Sequence, residues 1–460
     1  MKTNRSAYRT AFRLLSLLLL TGAFACSKPE EFDMDRSASP TESHHREFAP
    51  AGGFSRVVIL YAEGHNTLFQ YIKGDIEELC SGYIPQDPSD VLLVFSKLLL
   101  RDGRYSDPTS PVLFRVRRGA DGTPVRDTLM TLPPFTPAAS PETMSTVLTY
   151  VRNNFPAQHY GMVVSSHASG WMPAGYYYSP ESFEGGSTVS WGRQRRRMPG
   201  SPIPFVDDFP RDDGSPMVRS YGRDQILTGG RSEVYEMTMR EMAGAIPMHL
   251  DFLLFDACMM GCVEVAYELR NVADKISFSP AEVLAEGLDY SKLGASLFKN
   301  GEPDLVGICR DYFEHYDSQP DGDYRSATIS LVDCTALEPL ASRGKTLFAK
   351  YREQIFHLDP NVVQRYYRQG RYYFYDLQDI LLRAGIDASE KAALQRALDA
   401  CIVYKGATPS FIGAFDIKVY SGMSMYLPSI VNYYPKKNFT FLNDFYRTEI
   451  AWNEATGLVR

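Results

Sequence analysis

Four short runs in this chain are mostly apolar: Arg56–Ala62 (RVVILYA), Val91–Ser96 (VLLVFS), Tyr160–Ser166 (YGMVVSS) and Leu250–Asp256 (LDFLLFD). Strands read this way when both of their faces are covered, as in a parallel sheet flanked by helices. Helix-spaced segments lie between them. Thr67–Leu79 (TLFQYIKGDIEEL) is one. Ser140-Pro141-Glu142 opens a second, running through Asn153, with Ser140 as N-cap and Pro141 in the first position. A third is expected from about Ala257 to Leu269. Lys275–Ser279 and Ala327–Val332 add a fifth and a sixth strand. Val112–Val116 and Thr128–Thr131 read as shorter, more polar strands joined near Asp121-Gly122. The alternation predicts an α/β sandwich around a mostly parallel sheet. In such sheets function collects where the strands end.

The chain beyond about 290 is more helical, with Leu337–Gln354 and Ala388–Cys401 as helices and Ser421–Pro428 as a short strand. The expected organisation is a targeting segment (1–25), a tether (26–53), an α/β domain (54–330) and an α-rich C-terminal extension packed on it (331–460). Residues 172–232 interrupt the pattern as a Gly-, Pro-, Tyr- and Arg-rich insertion. Loops of this length inside a compact domain are usually functional or disordered.

Met1–Arg13 is basic and free of acids, and Leu14–Ala25 is a short apolar stretch. Twelve helical residues span about 18 Å, too short for a hydrocarbon core of about 30 Å. The segment therefore reads as an export signal. Ala23-Phe24-Ala25 fits signal-peptidase cleavage. Cys26 directly afterwards fits lipidation of a bacterial lipoprotein, with outer membrane or cell surface as the expected location and periplasm or secretion as the alternative. The following stretch to about Pro50, including His44-His45, reads as a solvated tether.

Of the 460 residues, 44% are hydrophobic and 22% charged, which excludes disordered and collagen-like classes. Net charge is −7. Removing residues 1–25 takes away Lys2, Arg5, Arg9 and Arg13 and no acids, leaving −11. No basic field favours a nucleic-acid partner. The seven cysteines lack paired zinc-type spacing and are too sparse for a disulfide framework.

Two strand ends carry chemistry. The run Tyr160–Ser166 delivers His167-Ala168-Ser169-Gly170-Trp171. The run Leu250–Asp256 delivers Asp256-Ala257-Cys258. In a parallel sheet both ends emerge on one edge, so an imidazole and a thiol face each other across a crevice. That pairing favours a thiolate nucleophile and supplies a proton for a leaving amine. A helix starting at Cys258 would add its dipole. The backbone N–H groups of Ala168 and Cys258 are candidates for holding an oxyanion.

These residues also carry a resemblance. VVSSHASGW is similar to the apolar strand and H-G-x-G-W of the clostripain-like cysteine peptidases, the C11 family of the caspase-like clan. FDACMMGCVEVAYEL resembles the family's D-A-C-L-M followed by a helix with E-V-A-Y-E-L. Ser279, Glu282, Gly287 and Tyr290 follow the downstream pattern, YAEGHNTLFQYIKGDIEEL the first strand and helix, and SGMSMYLP the S-G-L-S-I-Y-x-P near the end. The likeness spans about residues 54–455.

The resemblance implies a caspase-like α/β/α fold and peptide-bond hydrolysis by a dyad of His167 and Cys258. It implies protein or peptide substrates cut after Arg or Lys, with Asp256 serving the basic pocket. Asp256 as N-cap of the following helix is the competing role. It also implies self-activation by cleavage after a basic residue between the two motifs, where Arg193, Arg195, Arg196 and Arg197 are the candidates. No cofactor is implied except calcium, for which Asp207-Asp208 and Asp212-Asp213 are candidates by charge alone. Ala168 stands where the family has Gly, which puts the aim of its N–H in question, and Ser165-Ser166 replaces the usual W-D. Two rival readings remain: a catalytically inactive caspase-like surface lipoprotein that binds a partner, and a metal site built from Cys258, Cys262 and His167.

Overall fold

The computed structural model describes residues 41–42, 53–99, 109–177, 183, 224–228, 231–299, 301–368, 370, 372–434 and 439–460. The strands are β1 (Thr41–Glu42), β2 (Phe54–Gly64), β3 (Asp90–Leu98), β4 (Val112–Arg118), β5 (Pro124–Thr131), β6 (Ala157–Ser165), β7 (Asp224–Thr228), β8 (Arg231–Tyr235), β9 (Leu250–Asp256), β10 (Ala273–Phe278), β11 (Thr328–Asp333), β12 (Tyr375–Asp376) and β13 (Ile402–Ala407). Three further two-residue strands follow in the C-terminal part. Ten of the strands form one sheet in the order β1-β5-β4-β3-β2-β6-β9-β10-β11-β13.

The five central strands, β3-β2-β6-β9-β10, run parallel. The outer strands pair antiparallel. The expected parallel sheet forms the centre, with antiparallel strands added on both sides, and the four apolar runs occupy that centre. Ile59, Leu60 and Tyr61 of β2 have no exposed surface, which explains why this strand shows no polar alternation. Gly161 of β6 sits opposite Phe252 of β9; a Cβ there would lie 2.0 Å from the Phe252 ring, so only glycine leaves room for it.

Two helix groups flank the sheet. Helix Phe69–Ser81 packs on Tyr290–Phe298, which packs on Leu305–Asp317. The second group joins Pro141–Asn154, Met239–Ala245, Val263–Leu269, Leu337–Phe356, Ala388–Cys401 and Ala451–Thr456. Ser140 caps its helix through Oγ, which accepts from Thr143 N–H at 3.2 Å.

Residues 331–460 do more than cover the α/β core. β13 adds the last strand of the main sheet, in register with β11 from Thr328 opposite Ala407 to Leu331 opposite Tyr404. Residues Ser39–Arg460 form one compact unit.

Three expectations are corrected. The helix after β9 begins at Val263, not near Ala257, with Cys262 at the N-cap position. Met259 N–H bonds to Ala281 O (2.9 Å) and Gly261 N–H to Ser279 O (2.8 Å), so residues 258–262 are drawn onto the neighbouring segment instead of coiling. Cys258 is therefore not at a helix N-terminus, and Asp256 is not a helix cap.

Candidate active site

The site is built where β6 and β9 end. Ser165 and Asp256 are registered partners in the parallel ladder. His167 and Cys258 each lie two residues beyond that pair, on the same sheet edge. The sequence expectation for these two residues thus has a structural basis in the register, with adjacent strands about 4.8 Å apart.

β2 ends on the same edge and orients the His loop. Nε2 of His167 lies 3.0 Å from Oγ1 of Thr67, and Ser166 Oγ donates to Glu63 Oε2 at 2.8 Å. His167 is buried. Ala168 has negative φ, so replacing glycine here brings no backbone strain. The left-handed residue of the turn is Gly170 (φ +66°). A Cβ on it would sit 2.7 Å from Met259 O and 2.8 Å from the Phe374 ring. The two loops are thereby closely packed. Trp171 anchors the turn in the core, its ring 5.0 Å from that of Tyr426 and 5.3 Å from that of Tyr446.

The Cys258 loop is equally constrained. Met259 has φ +61°, a left-handed conformation that costs a non-glycine residue about 1 kcal/mol or more. It is held by the two backbone bonds to Ala281 and Ser279. Cys258 has no exposed surface. Its Sγ accepts from Val283 N–H at 3.0 Å and faces Val283 O at 3.6 Å. The other buried thiols are poor nucleophiles by environment: burial pushes Cys309, Cys334 and Cys401 up to about 12, and Cys262 well above its ordinary value.

Three carboxylates surround the Cys258 loop, each with a different job. Asp256 is buried; its Oδ2 accepts from Tyr290 O–H (2.9 Å) and Leu288 N–H (3.4 Å). Glu264 is buried behind the loop, and its Oε1 accepts from Tyr426 N–H and Tyr446 O–H, both 2.8 Å. Burial raises its carboxyl to about 7. Glu282 receives both Nε and Nη2 of Arg368, the latter at 2.9 Å. Sequence reasoning missed Thr67, Val283 and Arg368. Thr67 had a signal, because it follows a strand that ends on this edge. Arg368 had none, since it arrives from the C-terminal part.

Among the described residues no group of three or more His, Cys, Asp or Glu forms a metal-ligand cluster. No helix among them is long and apolar enough to cross a membrane. Residues 1–25, Cys26, His44-His45, Arg193, Arg195, Arg196, Arg197 and both acidic pairs near 210 lie outside the described residues.

The sequence model of the clostripain family, Peptidase C11, matches residues 60–182 and 213–456. This chain belongs to the clostripain family. Members are cysteine peptidases, and so is this chain. Among curated proteins no sequence matches it. The fold is similar to that of an inactive zymogen C11 protease from Parabacteroides distasonis, with TM-score 0.66 and 26% identity over 88% of this chain and 98% of that one. It is also similar to a secreted C11 cysteine protease from Bacteroides thetaiotaomicron, solved in complex with an irreversible peptide inhibitor. There the TM-score is 0.64 and the identity 22%, over 87% of this chain and 98% of that one. The clostripain-family sheet and loops described here are thus a caspase-like α/β architecture.

Proposed function

We propose that this cysteine peptidase is an exported endopeptidase that cuts after Arg or Lys. Cys258 is the nucleophile and His167 the acid and base. The observation that supports this reading most is the register of β6 and β9, with Ser165 opposite Asp256. Cys258 Sγ attacks the scissile carbonyl carbon, and backbone N–H groups of the two loops receive the developing oxyanion. His167 gives a proton to the leaving amine. It then takes one from the water that hydrolyses the thioester, releasing Cys258 and the carboxylic acid product. Thr67, 3.0 Å from Nε2, holds the ring in place for both roles.

Full burial of Cys258 supports an uncut precursor whose nucleophile is not yet open to substrate. Cleavage in the Arg193–Arg197 run is the proposed trigger, and lipidation at Cys26 the proposed anchor. Calcium is a proposed requirement only.

The test is hydrolysis of fluorogenic peptides ending in Arg, Lys, Asp or Leu, by the full chain and by Cys258→Ala, with and without calcium. Turnover of Arg or Lys peptides that vanishes in Cys258→Ala is expected. Silence of the wild type after deliberate nicking within Arg193–Arg197 would return the chain to the reading of an inactive binding lipoprotein.

A further inference from the structure

Three buried polar residues stand in a row across the sheet, just short of the proposed dyad. The parallel register puts Glu63 of β2 opposite Lys97 of β3. On the other side of β2 the ladder ends with Ala62 opposite Ser165, so Ser166, the next residue, falls beside Glu63. Residues paired in this way share a face of the sheet. Two residues earlier on that face, Tyr61 and Phe95 are in ring contact at 4.5 Å. Lys97 is only 1%, Ser166 2% and Glu63 6% exposed. Burying two opposite charges costs more than their attraction returns unless hydrogen bonds complete them.

Those hydrogen bonds lead to His167. Ser166 Oγ donates to Glu63 Oε2 at 2.8 Å, and Ser166 precedes His167 in the chain. Glu63 O accepts from Asn66 Nδ2 at 2.7 Å, and Asn66 Oδ1 in turn accepts from Leu68 N–H at 2.9 Å. Asn66 thereby fixes the turn that carries Thr67, whose Oγ1 lies 3.0 Å from His167 Nε2. Glu63 thus reaches the imidazole by two routes. Its carboxylate holds the residue before the ring, and its carbonyl holds the turn whose hydroxyl meets the ring. Lys97 Nζ donates to Thr136 O at 2.8 Å, which anchors its charge in the same buried row.

We infer that Glu63 is a positioning residue for His167: it fixes the imidazole through Ser166 and through the Asn66–Thr67 turn, and Lys97 supplies the counter-charge that lets a carboxylate sit there. The inference rests on the proposed dyad of Cys258 and His167. A misplacement of about 1 Å in an acid–base group costs rate, and a group that matters only in the transition state shows in kcat while KM stays put. Two substitutions separate the link from the charge. Alanine at 166 removes the hydroxyl and leaves both buried charges in place. Glutamine at 63 can still accept from Ser166, but the hydrogen bond loses its charge assistance and Lys97 loses its counter-charge.

The experiment compares wild type, Ser166→Ala, Glu63→Gln and the double variant, each nicked within Arg193–Arg197, on peptides ending in Arg. Turnover is divided by the Cys258 thiols that an arginyl peptide chloromethyl ketone titrates, so that misfolded molecules do not count. Ser166→Ala and Glu63→Gln should each lower kcat per titrated thiol about tenfold, with KM within about twofold of wild type. Because both act on one link, the double variant should lose about tenfold and not about a hundredfold. A merely structural network would lower the melting temperature and the titratable fraction but leave kcat per thiol unchanged, which overturns the inference. Losses that multiply in the double variant overturn it too, since Glu63 would then not act through Ser166. If Glu63→Gln fails to fold, kcat of Ser166→Ala decides the matter. Silence of the nicked wild type, or turnover that survives in Cys258→Ala, refutes the dyad itself, and the inference falls with it. Turnover lost in Cys258→Ala and fully kept in Ser166→Ala refutes the inference alone.

Discussion

Glu264→Gln isolates the most strongly perturbed carboxyl behind the site. Glu264 is buried, and burial raises it from its ordinary 4.5 to about 7. The hydrogen bonds from Tyr426 N–H and Tyr446 O–H pull the other way and do not offset it. The groups packed on it, Cys262, Tyr426 and Tyr446, are all held neutral by burial. At about 1.4 kcal/mol per pH unit, the rise from 4.5 to about 7 amounts to about 3 kcal/mol. Between those two values the folded chain keeps a proton that the unfolded chain has lost. Stability from this source is complete below pH 4.5 and is lost as pH rises through about 7. Glutamine stays neutral and keeps an oxygen for both donors. Urea midpoints of wild type and Glu264→Gln are compared from about pH 4 to about pH 8, where all other titrating groups cancel in the difference. Wild type should lose about 3 kcal/mol more than the variant across that interval. Parallel curves for the two proteins would refute the assignment.

Three further outcomes are expected. In Gly261→Ala the new Cβ would sit 2.3 Å from Pro280 N, and backbone cannot move aside as a side chain can. Thermal melts should show a loss of about 1–3 kcal/mol, and kcat should fall as the Cys258 loop shifts. Thr67→Val removes the hydroxyl 3.0 Å from His167 Nε2; kcat should drop about tenfold with KM nearly unchanged, and the pH–rate profile should move. Replacing Arg193, Arg195, Arg196 and Arg197 by Gln should leave a single band on a denaturing gel while wild type is cut.

The parallel centre was legible because β2, β3, β6 and β9 are buried on both faces, and burial on both faces writes itself into sequence as uninterrupted apolar runs. Ser140-Pro141 was legible for a similar reason: a cap is a local device. The start of the helix after β9 was not. Residues 258–262 are decided by bonds to Ala281 and Ser279, some twenty positions away, and no local pattern records them. His167 and Cys258 could be picked from strand ends and motif. Their neighbours Val283 and Arg368 could not, since each acts through a contact set by tertiary packing. β13 was hidden because Ile402–Ala407 has alternating exposure, as befits a sheet edge.

The sheet order gives a cut molecule a particular character. β6 is the last strand of the sheet before residues 172–232, and β9 is the first after them. A break in that insertion leaves one fragment with β1 to β6 and the other with β9, β10, β11 and β13. The fragments meet along the ladder from Gly161–Phe252 to Ser165–Asp256. Parting them would bare two apolar strand edges, so a nicked enzyme is expected to run as two bands under denaturation and as one species in gel filtration. His167 belongs to one fragment and Cys258 to the other. With these two as the proposed dyad, neither piece is expected to act alone, and peptidase activity would become a direct readout of two chains holding together.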